Sequence, residues 1–208
     1  MNKRETNNAK IRRLAFLSLL SAIVLLMATT PLGYLSLGPV KITFLAIPVV
    51  IGGIILGPLD GAILGFIFGA TSFAQCFGVD PLGTALLNFN PILMAVNCFI
   101  PRIFIGLFSG LSYRFISQKF NASPKYQLKY IIPSFIGSIT NSIFFIGFML
   151  LFFWNTPEIQ AFGSDLLTIL GVMFSANVFI EASICLLISA ALSKFLHIIS
   201  NKYKFYDN

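Results

Sequence analysis

Charge is scarce in this chain. Asp, Glu, Lys and Arg together make up 10% of its 208 residues, while 57% are hydrophobic. Soluble domains carry about a quarter charged residues, so a soluble globular fold is excluded. Histidine occurs once, as His197 at the end of the last apolar stretch, which leaves no buried base for a Ser/His intramembrane protease. No set of histidines and carboxylates has the spacing of a metal site. There is no Gly-rich loop with its lysine to hold nucleotide phosphates, so any ATP must be hydrolysed by another chain. The three cysteines, Cys76, Cys98 and Cys185, form no close pair in sequence and read as small apolar fillers.

Long apolar runs are what the chain has, with a mean hydropathy of +0.88. At roughly 20 residues per crossing they allow about six transmembrane helices and leave little for a second domain. The expected fold is therefore all-α, a single bundle of six transmembrane helices over residues 1–208. Basic residues sort by side. Lys3, Arg4, Lys10, Arg12 and Arg13 precede the first span; Arg114, Lys119, Lys125 and Lys129 lie between the fourth and fifth; Lys194, Lys202 and Lys204 follow the sixth. This positive-inside pattern predicts that both termini, 1–13 and 193–208, are cytoplasmic. Leu14 to Ala28 after a basic start also resembles a signal peptide, but its removal would leave five spans and break that charge pattern.

The spans are expected near residues 14–30, 42–56, 61–77, 91–113, 130–153 and 166–192. Gly57-Pro58-Leu59-Asp60 reads as a tight inner turn with Asp60 as helix N-cap. Gly61, Gly65 and Gly69 recur every four residues, giving one helix face where a neighbour can approach closely. Residues 31–41 and 78–90 read as outer loops, and Trp154 marks the outer interface. No internal duplication or low-complexity segment is evident.

Polar side chains within the spans are few: Thr43, Ser72, Gln75, Asn97, Arg102, Asn141, Asn177 and Glu181, with Asn88 and Asn90 at an outer mouth. A charge at bilayer depth costs several kcal/mol and persists mainly where it pairs, lines a cavity or holds a ligand. Asn177 and Glu181, four apart, share a helix face, whereas Asn97 and Arg102 are offset by about 140°. Pro101 frees the backbone carbonyl one turn earlier. One reading has Arg102 and Glu181 neutralise each other while the amides tie helices together. The other has Arg102 offer a guanidinium fork to a carboxylate or phosphate while asparagines fix amide and hydroxyl groups. Both hold if Glu181 orients Arg102.

Taken in order, a set of motifs resembles one family. These are the basic N-terminus, Gly33-Tyr34, and Thr43-Phe-Leu-Ala-Ile-Pro48-Val-Val-Ile-Gly52-Gly-Ile-Ile-Leu-Gly57-Pro58. They continue with Gly61-Ala-Ile-Leu-Gly65-Phe-Ile-Phe-Gly69-Ala-Thr-Ser72, Pro101-Arg102, Gly137-Ser-Ile-Thr-Asn141 and Asn177-Val-Phe-Ile-Glu181. The chain resembles the substrate-binding S components of energy-coupling factor (ECF) vitamin transporters, most of all the pantothenate-specific members. The resemblance implies a multi-pass plasma membrane protein that captures a small vitamin from outside, beneath the loop containing Tyr34. It also implies toppling against a transmembrane coupling subunit driven by two ABC-type ATPases, with no cofactor in this chain. Pantothenate's carboxylate suits Arg102, and its amide and hydroxyl groups suit Asn97, Asn141 and Asn177. Glu181, Tyr34, Ser72, Gln75 and Asn90 complete the expected ligand-facing set. Family members often show two alanines four apart in the first span; here the nearest match is Ser18 and Ala22, expected to dock the partner.

The expected function is thus substrate capture, not catalysis. The alternatives are an S component for another vitamin or precursor such as riboflavin, or a structural membrane subunit with no ligand. A flavin-like ligand would call for more aromatic stacking than an anion clamp does. An intramembrane enzyme ranks last.

Overall fold

The computed structural model describes residues 3–37, 40–119, 128–163, 165–174, 183, 187–188 and 191–192. Helix α1 (Lys3–Thr29) leads through a single 3-10 turn, Pro31–Gly33, into an antiparallel hairpin of β1 (Tyr34–Leu37) and β2 (Val40–Thr43). Tyr34 pairs with Thr43 at its open end. The fold is helical, as expected, with one short hairpin where an outer loop was expected. Residues 42 and 43, assigned in sequence to the second span, belong to β2. β-branched Val40, Ile42 and Thr43 suit a strand.

Helix α2 (Ala46–Leu56) is buried at all of its 11 residues. At about 1.5 Å per residue it is too short to cross a bilayer unaided, and its composition suits the centre of the bundle. Gly57, at φ 105°, ends α2, and Pro58 opens α3 (Pro58–Gln75) at the position where a missing N–H is harmless. The helix cap is therefore Gly57 and not Asp60. Asp60 instead lies in the first turn of α3 and takes a bidentate ion pair from Arg13, with Nε to Oδ2 at 2.5 Å and Nη2 to Oδ1 at 2.7 Å. The carboxylate is 3% exposed and the arginine side chain 49%.

The stretch expected as an outer loop contains α4 (Pro81–Phe89), capped by the Asp80 carboxylate accepting from Gly83 N at 3.2 Å. Helix α5 (Pro91–Lys119) extends six residues beyond the expected span end at Tyr113, and α6 (Leu128–Phe153) follows. A single turn, α7 (Pro157–Gln160), and α8 (Leu166–Phe174) complete the described elements.

Three stretches, Lys10–Thr29, Pro91–Gln118 and Leu128–Phe153, are long and apolar enough to cross a membrane. Helices α2 and α3 fall short of that criterion, the first by length and the second through its glycines and polar ends. About half of the expected sixth span, mainly residues 175–182, lies outside the described residues.

The glycine stripe of α3 fixes how α3 and α5 meet. A Cβ at Gly61 would lie 2.6 Å from the Gly106 carbonyl, one at Gly65 would strike the Arg102 carbonyl, and one at Gly69 would lie 3.0 Å from the Cys98 carbonyl. Both sets step by four in opposite directions, so the helices run antiparallel with backbones in contact. The stripe serves packing inside the bundle. Two apolar clusters flank this seam. One surrounds α2 and includes Leu45, Val49, Leu64, Phe68 and Ile105; the other includes Leu86, Met94, Met149, Phe153 and Ile159.

Candidate functional site

Arg102 lies on the seam between the two clusters, and Pro101 shapes the helix beneath it. A proline has no N–H, so the carbonyl four residues earlier, that of Asn97, has no helical donor. Arg102 Nη1 donates to that carbonyl at 2.7 Å. The guanidinium carbon lies 4.4 Å from the ring centroid of Phe145 on α6 and 5.5 Å from that of Phe68 on α3. The side chain thus folds back toward the N-terminus of its helix, the direction helical side chains favour. It is 8% exposed, held between two aromatic rings.

Several unsatisfied polar atoms belong to the expected site residues, and another is Ser134 Oγ on α6. Among the described residues, Arg102 Nε, both side-chain polar atoms of Asn97 and the Tyr34 hydroxyl are buried without a hydrogen-bond partner. Such atoms cost roughly 1–3 kcal/mol each, so each one calls for an explanation. Tyr34 stands at the start of β1, and burial raises its phenol above its ordinary range, opposed by nearby Ser72, Arg102 and Gln75. Ser72 and Gln75 are close to the hydroxyl without an aligned bond to it.

The other expected site residues divide. Ser72 is buried on α3, four residues after Phe68 and on the same face. Asn141 is buried on α6 among Ser138, Thr140 and Ser142, one turn before Phe145. Gln75 donates to the Ala28 carbonyl at 3.0 Å, tying the end of α3 to α1. Asn90 caps α5, its Oδ1 accepting from Ile92 N and Leu93 N at 3.1 Å each. Asn177 and Glu181 lie outside the described residues, and so does any meeting of Glu181 with Arg102. Ser18 and Ala22 are both exposed on α1, while Leu20 and Val24 of the same helix face the core.

Sequence reasoning missed two features. Nothing local distinguishes Phe68 and Phe145 from the other phenylalanines, although each stands four residues from a polar residue of the site, Ser72 and Asn141. The cysteines, without a close pair in sequence, do pair in space: Cys76 and Cys98 are buried with their sulfurs 3.9 Å apart. Their separation of 22 positions gave no local signal.

The arrangement is a buried cation with fixed orientation, flanked by an open amide and a hydroxyl and walled by aromatic rings. It can take a small anion that also carries hydrogen-bonding groups. Comparison with known proteins agrees with a ligand-handling role. The family model "ECF transporter, substrate-specific component" matches residues 12–193. The pantothenic acid transporter PanT of Lactococcus lactis is 29% identical over 163 residues, covering 74% of this chain and 76% of that protein. The pantothenate transporter PanT of Leuconostoc mesenteroides is 29% identical over 150 residues, 70% of each chain.

Proposed function

This chain belongs to the family of ECF transporter substrate-specific components, multi-pass proteins of the plasma membrane with a transport role, and on that footing we propose that it captures pantothenate. The observation that carries this reading is the buried guanidinium of Arg102, anchored through Nη1 and stacked on Phe145, with Nε open. A carboxylate is the partner that such a fork takes best. Pantothenate offers one, together with an amide and hydroxyls for Asn97, Tyr34, Ser72 and Asn141. Its branched apolar centre suits Phe68 and Phe145. Asn177 and Glu181 remain part of the proposed site, with Glu181 orienting Arg102. Gln75 and Asn90 contribute by holding helix ends at the mouth. The names of the two PanT relatives support the same choice of ligand.

Both termini face the cytoplasm in this reading, and six helices span the bilayer. The chain is not an enzyme and holds no cofactor. Energy comes from two ABC-type ATPases acting through a transmembrane coupling subunit, against which the loaded protein topples. Exposed Ser18 and Ala22 are small residues on one face of α1, where a partner helix can approach closely.

The test is a ligand panel on the purified protein, following the fluorescence of its one tryptophan, Trp154, with calorimetry alongside. Tight pantothenate binding that Arg102→Ala abolishes in folded protein supports the carboxylate clamp. Tight binding of a different vitamin keeps the family role and discards pantothenate. Folded protein that binds no vitamin favours a structural subunit.

A further inference from the structure

We infer that Pro101 is a positioning residue for the ligand: it determines which edge of the Arg102 guanidinium the ligand meets. The inference rests on the reading of Arg102 as an anion clamp and adds how the clamp is set. In an uninterrupted helix the N–H at position 101 would bond the Asn97 carbonyl. Proline removes that donor, and Arg102 Nη1 takes its place at 2.7 Å. With Nη1 engaged on its own backbone, the guanidinium cannot swing freely, and the rings of Phe68 and Phe145 restrict it further.

What remains is the edge formed by Nε and Nη2, of which Nε is buried without a partner among the described residues. The same molecule shows what that edge does. Arg13 uses Nε and Nη2 together to grip the Asp60 carboxylate. Arg102 thus presents the fork that Arg13 has already closed on a carboxylate. The Asn97 side chain, on the residue whose carbonyl anchors Arg102, is itself buried with its amide unpartnered among the described residues. Pro101 therefore contributes without touching the ligand, by converting one backbone acceptor into a tether.

The test compares wild-type protein with Pro101→Ala, which restores a helical N–H that competes for the Asn97 carbonyl. Two probes are titrated by calorimetry: pantothenate, and the alcohol obtained by reducing its carboxylate. The thermal midpoint is followed in parallel. Pro101→Ala is expected to unfold no earlier than wild type, since a helix-interior proline is lost. Its affinity for pantothenate is expected to fall about tenfold or more, with affinity for the alcohol nearly unchanged, as for one weakened charge-assisted contact. A pantothenate-to-alcohol ratio that stays at the wild-type value in folded Pro101→Ala overturns the inference.

A readout without ligand separates this inference from the choice of vitamin. In 15N spectra of the ligand-free protein, rotation of the Arg102 guanidinium is expected to be slow in wild type and faster in Pro101→Ala. If wild type binds neither probe, the pantothenate reading fails while the rotation still judges Pro101. Equal rotation rates in the two proteins overturn the role of Pro101.

Discussion

Gly65 packs directly against the backbone of Arg102: a methyl group at position 65 would collide with the Arg102 carbonyl oxygen and lie 2.9 Å from Ile103 Cα. The proposed ligand-binding cation is therefore seated by a glycine on the neighbouring helix. Gly65→Ala must push α5 away from α3, and the affected atoms are backbone, which cannot rotate aside. A loss of about 1–3 kcal/mol is expected, typical of overpacking at a close contact. Gly147→Ala on α6, where a Cβ meets nothing within 4 Å, is expected to gain up to about 1 kcal/mol from helix propensity. Thermal unfolding in detergent checks the contrast, and equal effects would sink it.

Asn97 is fully buried with both side-chain polar atoms unpartnered among the described residues. Replacing it with Leu removes two unsatisfied groups while keeping volume. Ligand-free Asn97→Leu is expected to be at least as stable as wild type, yet to bind pantothenate about tenfold more weakly or worse. A purely structural amide predicts the opposite stability change, so a midpoint that drops sharply counts against a binding role.

The Arg13–Asp60 pair is asymmetric, with a buried carboxylate and a half-exposed guanidinium. Arg13→Ala strands the carboxylate inside the protein, whereas Asp60→Asn lets the arginine turn to water. The first change is expected to cost roughly 1–3 kcal/mol and the second clearly less, after allowing for solvent screening of Arg13. Denaturation of the two variants side by side decides the matter; a costlier Asp60→Asn would contradict it.

Burial raises the pKa of Tyr34 above that of an ordinary phenol. Between the ordinary value near pH 10 and the raised folded value, the unfolded chain binds fewer protons than the native one. Stability is thus fully present below about pH 10 and falls as pH rises beyond it. Tyr34→Phe should flatten that fall. Stability curves that run parallel for the two proteins above pH 10 would show that Tyr34 does not titrate there.

Cys76 and Cys98 approach to 3.9 Å between sulfurs, joining the end of α3 to α5. Copper–phenanthroline treatment is expected to link them within one chain, detected by mass spectrometry of digests, and Cys98→Ser should abolish the product. Links formed only with other cysteines would refute the proximity.

The sequence alone determined the solvent this protein lives in, because a chain with so few charges and such long apolar runs cannot cover itself for water. It also marked Arg102, since a charge in an apolar run is conspicuous without neighbours, and Pro101, whose lost N–H follows from covalent structure. Local signals failed where the answer depended on distant contacts. Asp60 has the chemistry of a helix cap, but Arg13, 47 positions away, claims its carboxylate. Residues 34–41 read as loop and 42–43 as the start of a span, because a hairpin's stability comes from pairing across strands. Gln75 and Asn90 also hold distant or capping backbone groups, which no local signal shows.

Only the tertiary structure decided that the Gly61–Gly65–Gly69 face meets Gly106, Arg102 and Cys98. Spacing reveals that a face is smooth, but not which helix lies on it. It alone also assigned Phe68 and Phe145, two of 23 phenylalanines, to the guanidinium. The physical reason is the same in each case. Hydropathy and hydrogen-bond capacity belong to a residue and its neighbours in the chain, whereas packing belongs to pairs that the chain brings together only when it folds.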